Sequence, residues 1–154
     1  MSATAKGAAP ELDRNLGFRI AAAGRRLQTA ADAVLAPLGM GAPAFGVLLR
    51  LAEADGLSQA ELARRQAVEA PTMCRMIVRL EGDGHVERRR DPHDRRVLRV
   101  HLTARGRATV AEGQALLEPH DRRVFAALDD ADRRALLDII GRVAPLTADG
   151  DPSL

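Results

Sequence analysis

The sequence predicts a mainly α-helical domain carrying one small β-hairpin, and three observations predict it. Apolar residues recur every three or four positions along most of the chain. Alternation of apolar and polar residues occurs past the middle, within residues 97–102. No internal repeat or long linker divides the 154 residues, which suffice for one domain with its own core.

The elements follow in order. Leu12, Leu16, Ile20, Ala23, Leu27, Ala31, Val34 and Leu38 share one stripe and predict a long amphipathic helix ending near Pro37-Leu38-Gly39. A second helix is expected from about Pro43 to Asp55, with Phe45, Leu48, Leu49 and Ala52 on one face. Ser58-Gln-Ala-Glu61 has the capping-box spacing, in which the Ser hydroxyl and the Glu carboxylate each satisfy an orphan N–H. It opens a short helix to about Arg65. Gln66-Ala67-Val68 is a tight turn, and another helix begins near Glu69 with Pro71 in its first turn. Met73, Met76, Ile77 and Leu80 form its buried stripe, and Gly82 and Gly84 end it.

Val97–Leu102 is then a strand placing Leu98, Val100 and Leu102 on one face and Arg99 and His101 on the other. Val86–Arg89 is its antiparallel partner, and residues 91–96 are the loop between them. Thr103 caps a helix through Leu116-Leu117 that is expected to bend or break at Pro119. Asp129 and Asp132 start a last helix carrying Leu136, Leu137, Ile140 and Val143. Residues 1–11 read as a flexible arm without the apolar segment of a secretory signal, and 147–154 as a flexible tail.

Composition narrows the function. No apolar run approaches the ~20 residues of a membrane span, so no membrane partner is expected. One cysteine, Cys74, excludes an internal disulfide framework and fits a reducing cytoplasm. The net charge of +2 conceals an asymmetry. Residues 64–107 hold 12 Arg against 6 Asp/Glu, a balance of +6, while the rest holds 11 basic and 15 acidic residues, a balance of −4. A basic stretch between acidic flanks is the electrostatic footprint of a nucleic-acid surface, although an Arg-rich solvated face has the same count.

Two short helices joined by a three-residue turn, with small polar and Arg side chains exposed on the second, make a helix-turn-helix. Its second helix fits the DNA major groove. With the apolar stripe inward, Ala70, Thr72, Arg75 and Arg79 face outward beside Pro71, with Cys74 close to that face. Arg75 is expected to contact a base and Arg79, further from the helix start, a phosphate. Ser58, besides its capping role, is a candidate phosphate contact. The loop residues His93, Asp94, Arg95 and Arg96 form a tip suited to the neighbouring minor groove, whose negative potential attracts guanidinium groups. Asp94 is expected to pair with the Arg96 side chain and hold it extended. An exposed pair adds only ~0–1 kcal/mol, so its role is orientation.

Ser58-Gln-Ala-Glu-Leu-Ala-Arg-Arg, Pro71-Thr-Met-Cys-Arg, Arg90-Asp-Pro-His-Asp-Arg-Arg96 and Leu102-Thr-Ala-Arg-Gly106 together resemble the MarR family of bacterial regulators, the Pro-Thr-Met segment being most similar to its SlyA-like branch. The resemblance implies a winged helix-turn-helix over residues 43–102. It also implies an obligate homodimer built from dimerisation helices at 12–38 and 103–146, within a single domain of 12–146. By the same resemblance the protein is a regulator, as a rule a repressor, of pseudo-palindromic double-stranded DNA, released by a small and often aromatic effector. Position for position, the wing arginine is Arg96 and its acidic partner Asp94. The sequence departs from the family at the turn, where Gln66-Ala67-Val68 lacks the usual Gly, and at Ala70, which offers no hydrogen bond.

An effector cleft between the first two helices and the DNA-binding lobe is expected at Ile20, Ala23, Leu27, Phe45 and Leu49, with Arg19 as an anionic anchor. The same residues serve equally as core and dimer contacts. No cofactor is expected. His85, His93, His101 and His120 lack metal-ligand spacing, and no nucleophile–base pair can be assembled, so no enzyme is predicted. Two alternatives stand beside the regulator: oxidation of Cys74 as a switch, and an interaction module that keeps the fold without specific DNA binding.

Overall fold

The computed structural model describes residues 15–148. Helix α1 spans Leu16–Leu35, its first turn capped by the Asn15 side chain, which accepts from the Phe18 N–H at 3.2 Å. A 3-10 turn over Ala36–Leu38 absorbs Pro37 and ends at Gly39, so the helix closes where its sequence stops it. Leu12 and the expected arm lie outside the described residues.

Helix α2, Ala42–Glu53, is the central element. Phe45 and Leu48 are buried as the stripe predicts, but Leu49 is half-buried and Ala52 exposed, while Val47 and Leu51 join the core. The stripe is broader than expected because α2 packs against helices on more than one side, and a helix so surrounded is apolar over most of its circumference.

A strand missed by the sequence reading follows. β1, Leu57–Ser58, pairs antiparallel with β3, Leu98–Leu102, whose other neighbour is β2, Val86–Arg90. Two residues are too few to show a period. The register of the hairpin sets Val86 opposite Leu102 and Arg90 opposite Leu98. Val100 and Leu102 are buried, but Leu98 is exposed, because at that end the hairpin runs beyond the core into the wing.

Helix α3, Gln59–Gln66, starts on the predicted capping box: the Glu61 N–H donates to Ser58 Oγ at 3.2 Å, and the Ser58 N–H to the Glu61 carboxylate at 2.7 Å. It ends at Ala67, which has φ 51° and ψ 45° and is the only non-glycine with positive φ among the described residues. A left-handed alanine costs ~1–2 kcal/mol, and a glycine there loses ~0.4–1 kcal/mol of that gain to unfolded-state entropy. Ala67→Gly is therefore expected to stabilise the protein by about 0.5–1 kcal/mol, read as a rise of roughly 1–4 °C in Tm by circular dichroism. An unchanged or lower Tm would mean that the turn stores no strain.

Helix α4, Ala70–Gly82, buries Met73, Ile77 and Leu80, with Met76 half-buried. Helix α5, Ala104–Val124, is capped by Thr103, whose hydroxyl accepts from the Gly106 N–H at 3.0 Å. The expected break at Pro119 does not occur. The carbonyl that proline leaves unpaired belongs to Ala115, and Ala115 and Pro119 are both exposed, so water can take the bond. Helix α6, Asp130–Ala148, opens on reciprocal bonds between Asp129 and Asp132, and runs two residues into the expected tail.

The core joins α2, α3, α4, the sheet and α5 around Phe45, Leu48, Leu62, Met73, Ile77 and Val100. α5 lies close against it because two positions have no side chain. A Cβ on Gly113 would fall 2.3 Å from the Phe45 ring, and one on Gly106 only 2.1 Å from the His85 carbonyl oxygen. Every described side chain of α6 is exposed, including Leu137 and Ile140, and Leu16, Phe18 and Ile20 of α1 are exposed too. Among the described residues no single helix is long and apolar enough to cross a membrane.

Candidate nucleic-acid interface

The buried stripe of α4 leaves Ala70, Pro71, Arg75 and Arg79 exposed, with Thr72 and Cys74 half-buried beside them. Glu69 at the N-cap makes no side-chain cap bond, and Pro71 in the first turn has no N–H to donate. Arg75 donates from Nη2 to Thr72 Oγ1 at 3.1 Å, one turn back, so its guanidinium is held toward the start of the helix. That is the end from which a recognition helix reaches base edges. Arg79 is exposed but engaged: it donates to the Gly39 carbonyl at 3.2 Å and lies 3.8 Å from Asp83. It therefore also ties α4 to the junction of α1 and α2.

The wing departs from expectation at Asp94. Its carboxylate accepts from the Arg96 backbone N–H at 3.0 Å, and no ion pair joins the two side chains among the described residues. The reason is local: an acidic side chain two residues before an N–H closes an Asx turn more readily than it reaches a long exposed side chain. Asp94 thus shapes the backbone that carries Arg96 rather than the guanidinium itself. Arg95 and Arg96 are both exposed, as is His93, and the Arg95 carbonyl is braced by Arg90 Nη1 at 3.0 Å.

The residue that organises this loop is Asp91, which the sequence reading passed over. Asp91 is buried; its Oδ1 accepts from the His93 and Asp94 N–H groups at 2.7 and 3.1 Å, and its Oδ2 from Arg99 Nε at 2.7 Å. The Arg99 guanidinium, followed by the two backbone donors, draws its pKa down to about 2, so it is ionised throughout the neutral range. Arg99 also donates from Nη1 to the Glu61 carboxylate at 3.0 Å, the same oxygen that caps Ser58. The Ser58 backbone bond chiefly holds Glu61 below the usual carboxylate range, with Arg99 adding to it. The Asp-Pro dipeptide was the available signal, since it marks a turn opened by a side-chain acceptor.

Elsewhere Glu81 on α4 grips Arg88 of β2, with Nε 3.0 Å from its Oε2, fixing the hairpin to α4. Ser58 is half-buried with its hydroxyl already accepting from Glu61, so its expected phosphate role would fall to the hydroxyl hydrogen alone.

The expected effector residues are not brought to one cleft. Arg19, Ile20, Ala23 and Leu27 lie exposed along α1, Leu49 is half-buried, and Phe45 is a core residue packed on Gly113. A face can be read from helical periodicity, but not the neighbour it meets. A cleft of about 270 Å³ does lie between α1, the start of α2 and the helix-turn-helix, but other residues line it: Gln28, Ala42, Pro43, Gln66, Val68 and Met76.

A family model described as MarR family matches residues 38–97. The HTH-type transcriptional repressor Rv2887 of Mycobacterium tuberculosis (strain ATCC 25618 / H37Rv) is 37% identical over 122 residues, which are 79% of this chain and 88% of that protein. The solved structure of the transcriptional repressor CouR bound to a 23-mer DNA duplex matches with a TM-score of 0.81 at 32% identity, covering 90% of this chain and 99% of that one. Rv2887 in complex with salicylic acid matches with a TM-score of 0.66 at 34% identity, covering 84% and 96%.

Proposed function

The chain belongs to the MarR family and is a DNA-binding transcriptional regulator rather than an enzyme; from that premise we propose a sequence-specific repressor acting as a homodimer. The observation that carries the reading is the joining of two arginine-bearing elements in one lobe. Arg75 stands exposed near the start of α4, and Arg95 and Arg96 stand exposed at the wing tip. In this reading Arg75 meets a base edge in the major groove, Arg79 a phosphate, and Arg96 the adjacent minor groove. The DNA-bound state of the CouR relative supports the choice of partner. Such a regulator works in the cytoplasm.

The exposed apolar residues of α1 and α6 support the dimer, since an apolar face this extensive on both terminal helices marks a surface that is covered. Two copies would place their recognition helices ~34–36 Å apart, one turn of the duplex, on a pseudo-palindrome. For release, a small effector in the cleft lined by Gln28 and Met76 would touch α1 and the recognition helix at once. The salicylic acid bound to Rv2887 suggests small aromatic acids as first candidates.

The test is enrichment of duplexes from a random-sequence pool, followed by band shifts of the enriched duplex across a salt series. A specific regulator enriches a two-fold-related motif and loses roughly 10³–10⁵ in affinity between 50 and 200 mM salt. A module that keeps only the fold enriches nothing, and that result would refute the reading. Sedimentation supplies the second readout: a stable monomer would refute the dimer.

A further inference from the structure

We propose that Arg99 is the positioning residue that fixes the wing, and with it Arg96, relative to the helix-turn-helix; this rests on the docking proposed above, in which Arg96 enters the minor groove. Arg99 sits on the middle strand of the sheet, opposite Ser58 in the β1–β3 register. From there one guanidinium reaches two elements that the sequence separates widely. Nη1 donates to Glu61 in the first turn of α3, and Nε donates to Asp91 at the base of the wing loop.

The connection continues outward through single atoms. Asp91 spends its second oxygen on the N–H groups of His93 and Asp94, and Asp94 in turn accepts from the N–H of Arg96. Glu61, Arg99, Asp91 and Asp94 therefore form an unbroken series of charge-assisted bonds from a helix cap to the backbone of the wing arginine. The planar fork of arginine serves both carboxylates in fixed directions, which a lysine ammonium does not do. The side chains of Arg99 and Glu61 are about one-third exposed and that of Asp91 is 11% exposed, so the inner bond is the better shielded from salt. Without this tether the hairpin still pairs along its five-residue strands, but the loop beyond Arg90 and Leu98 loses its link to α3.

A double-mutant cycle on the duplex enriched by the unmodified protein tests the proposal. Arg96→Ala is measured in the unmodified chain, in Arg99→Gln and in Asp91→Asn. The asparagine keeps an acceptor for the loop N–H groups while removing the charge that holds Arg99. The two backgrounds change net charge in opposite directions, so bulk electrostatics cannot produce the same result in both. Arg96→Ala is expected to weaken binding on the order of tenfold in the unmodified chain and less than about twofold in either background. Arg75→Ala keeps its full effect in all three.

Retention of the full Arg96 effect in either background overturns the positioning role alone. Loss of the Arg75 effect together with the Arg96 effect overturns that role as well, because Arg99 would then be supporting the whole lobe; a thermal melt of each variant identifies that case. If Arg96→Ala is silent in the unmodified chain, the minor-groove docking itself falls, and the positioning role with it.

Discussion

Arg75→Ala is expected to weaken binding to the enriched duplex by about 1–3 kcal/mol per half-site, since a bidentate arginine–guanine pair contributes that much discrimination. In a dimer both copies lose the contact, so the total comes to roughly 2–6 kcal/mol, at least about thirtyfold. The loss is specific. Competition with unrelated DNA should show that the variant retains most of its non-specific affinity, because one guanidinium among many exposed arginines changes the salt slope by only ~1 per copy. Thr72 sharpens the expectation: its hydroxyl accepts from Arg75 at 3.1 Å, so the guanidinium is partly ordered before DNA arrives. A variant that binds the enriched and unrelated duplexes in the wild-type ratio would remove Arg75 from base readout.

Gly106→Ala is expected to lower stability by about 3–5 kcal/mol, which for a chain of this size means a fall of roughly 6–20 °C in Tm. The added methyl would lie 2.1 Å from the His85 carbonyl oxygen and 2.9 Å from Leu102 Cδ2. The oxygen belongs to the backbone and accepts from both the N–H and the hydroxyl of Thr103, so it cannot move without loosening the cap of α5. Gly82→Ala is the control, because nothing lies within 4 Å of a Cβ there. It should leave Tm within about 2 °C of wild type, a surface substitution away from such contacts being worth ±0.5 kcal/mol. Equal melting of the two variants would show that α5 is not held close at Gly106.

The parts legible in the sequence are those where a local pattern has one physical solution. Ser58 and Glu61 stand three apart before a helix, and the capping box forms. Met73, Ile77 and Leu80 share one face, and that face is buried. Alternation from Arg99 to Leu102 finds its partner at Val86–Arg89. Where chain segments distant in sequence meet, the pattern is silent. Alternation places Arg99 on the face opposite the core, which reads as solvent, yet that face meets Glu61, 38 residues earlier. Periodicity suits Phe45 equally to a ligand cleft or to the core, and its seat in the core needs the missing side chain at Gly113, far along the chain. Charge alone pairs Asp94 with the Arg96 side chain, whereas the nearer backbone N–H takes it.

The contact between Phe45 and Gly113 bears on how an operator for this protein can change over evolutionary time. With the ring seated where a side chain on α5 would be, α2 cannot slide along α5 without expelling Phe45 from the core. In the proposed dimer the separation of two reading surfaces would be set by how α1 and α6 of two copies join, away from Arg75 and Arg96. Under the proposed docking, base preference and half-site spacing would be separate traits carried by separate residues. On that reading a substitution on α4 would alter which letters are read while leaving their distance untouched, and a change in α1 or α6 would do the reverse.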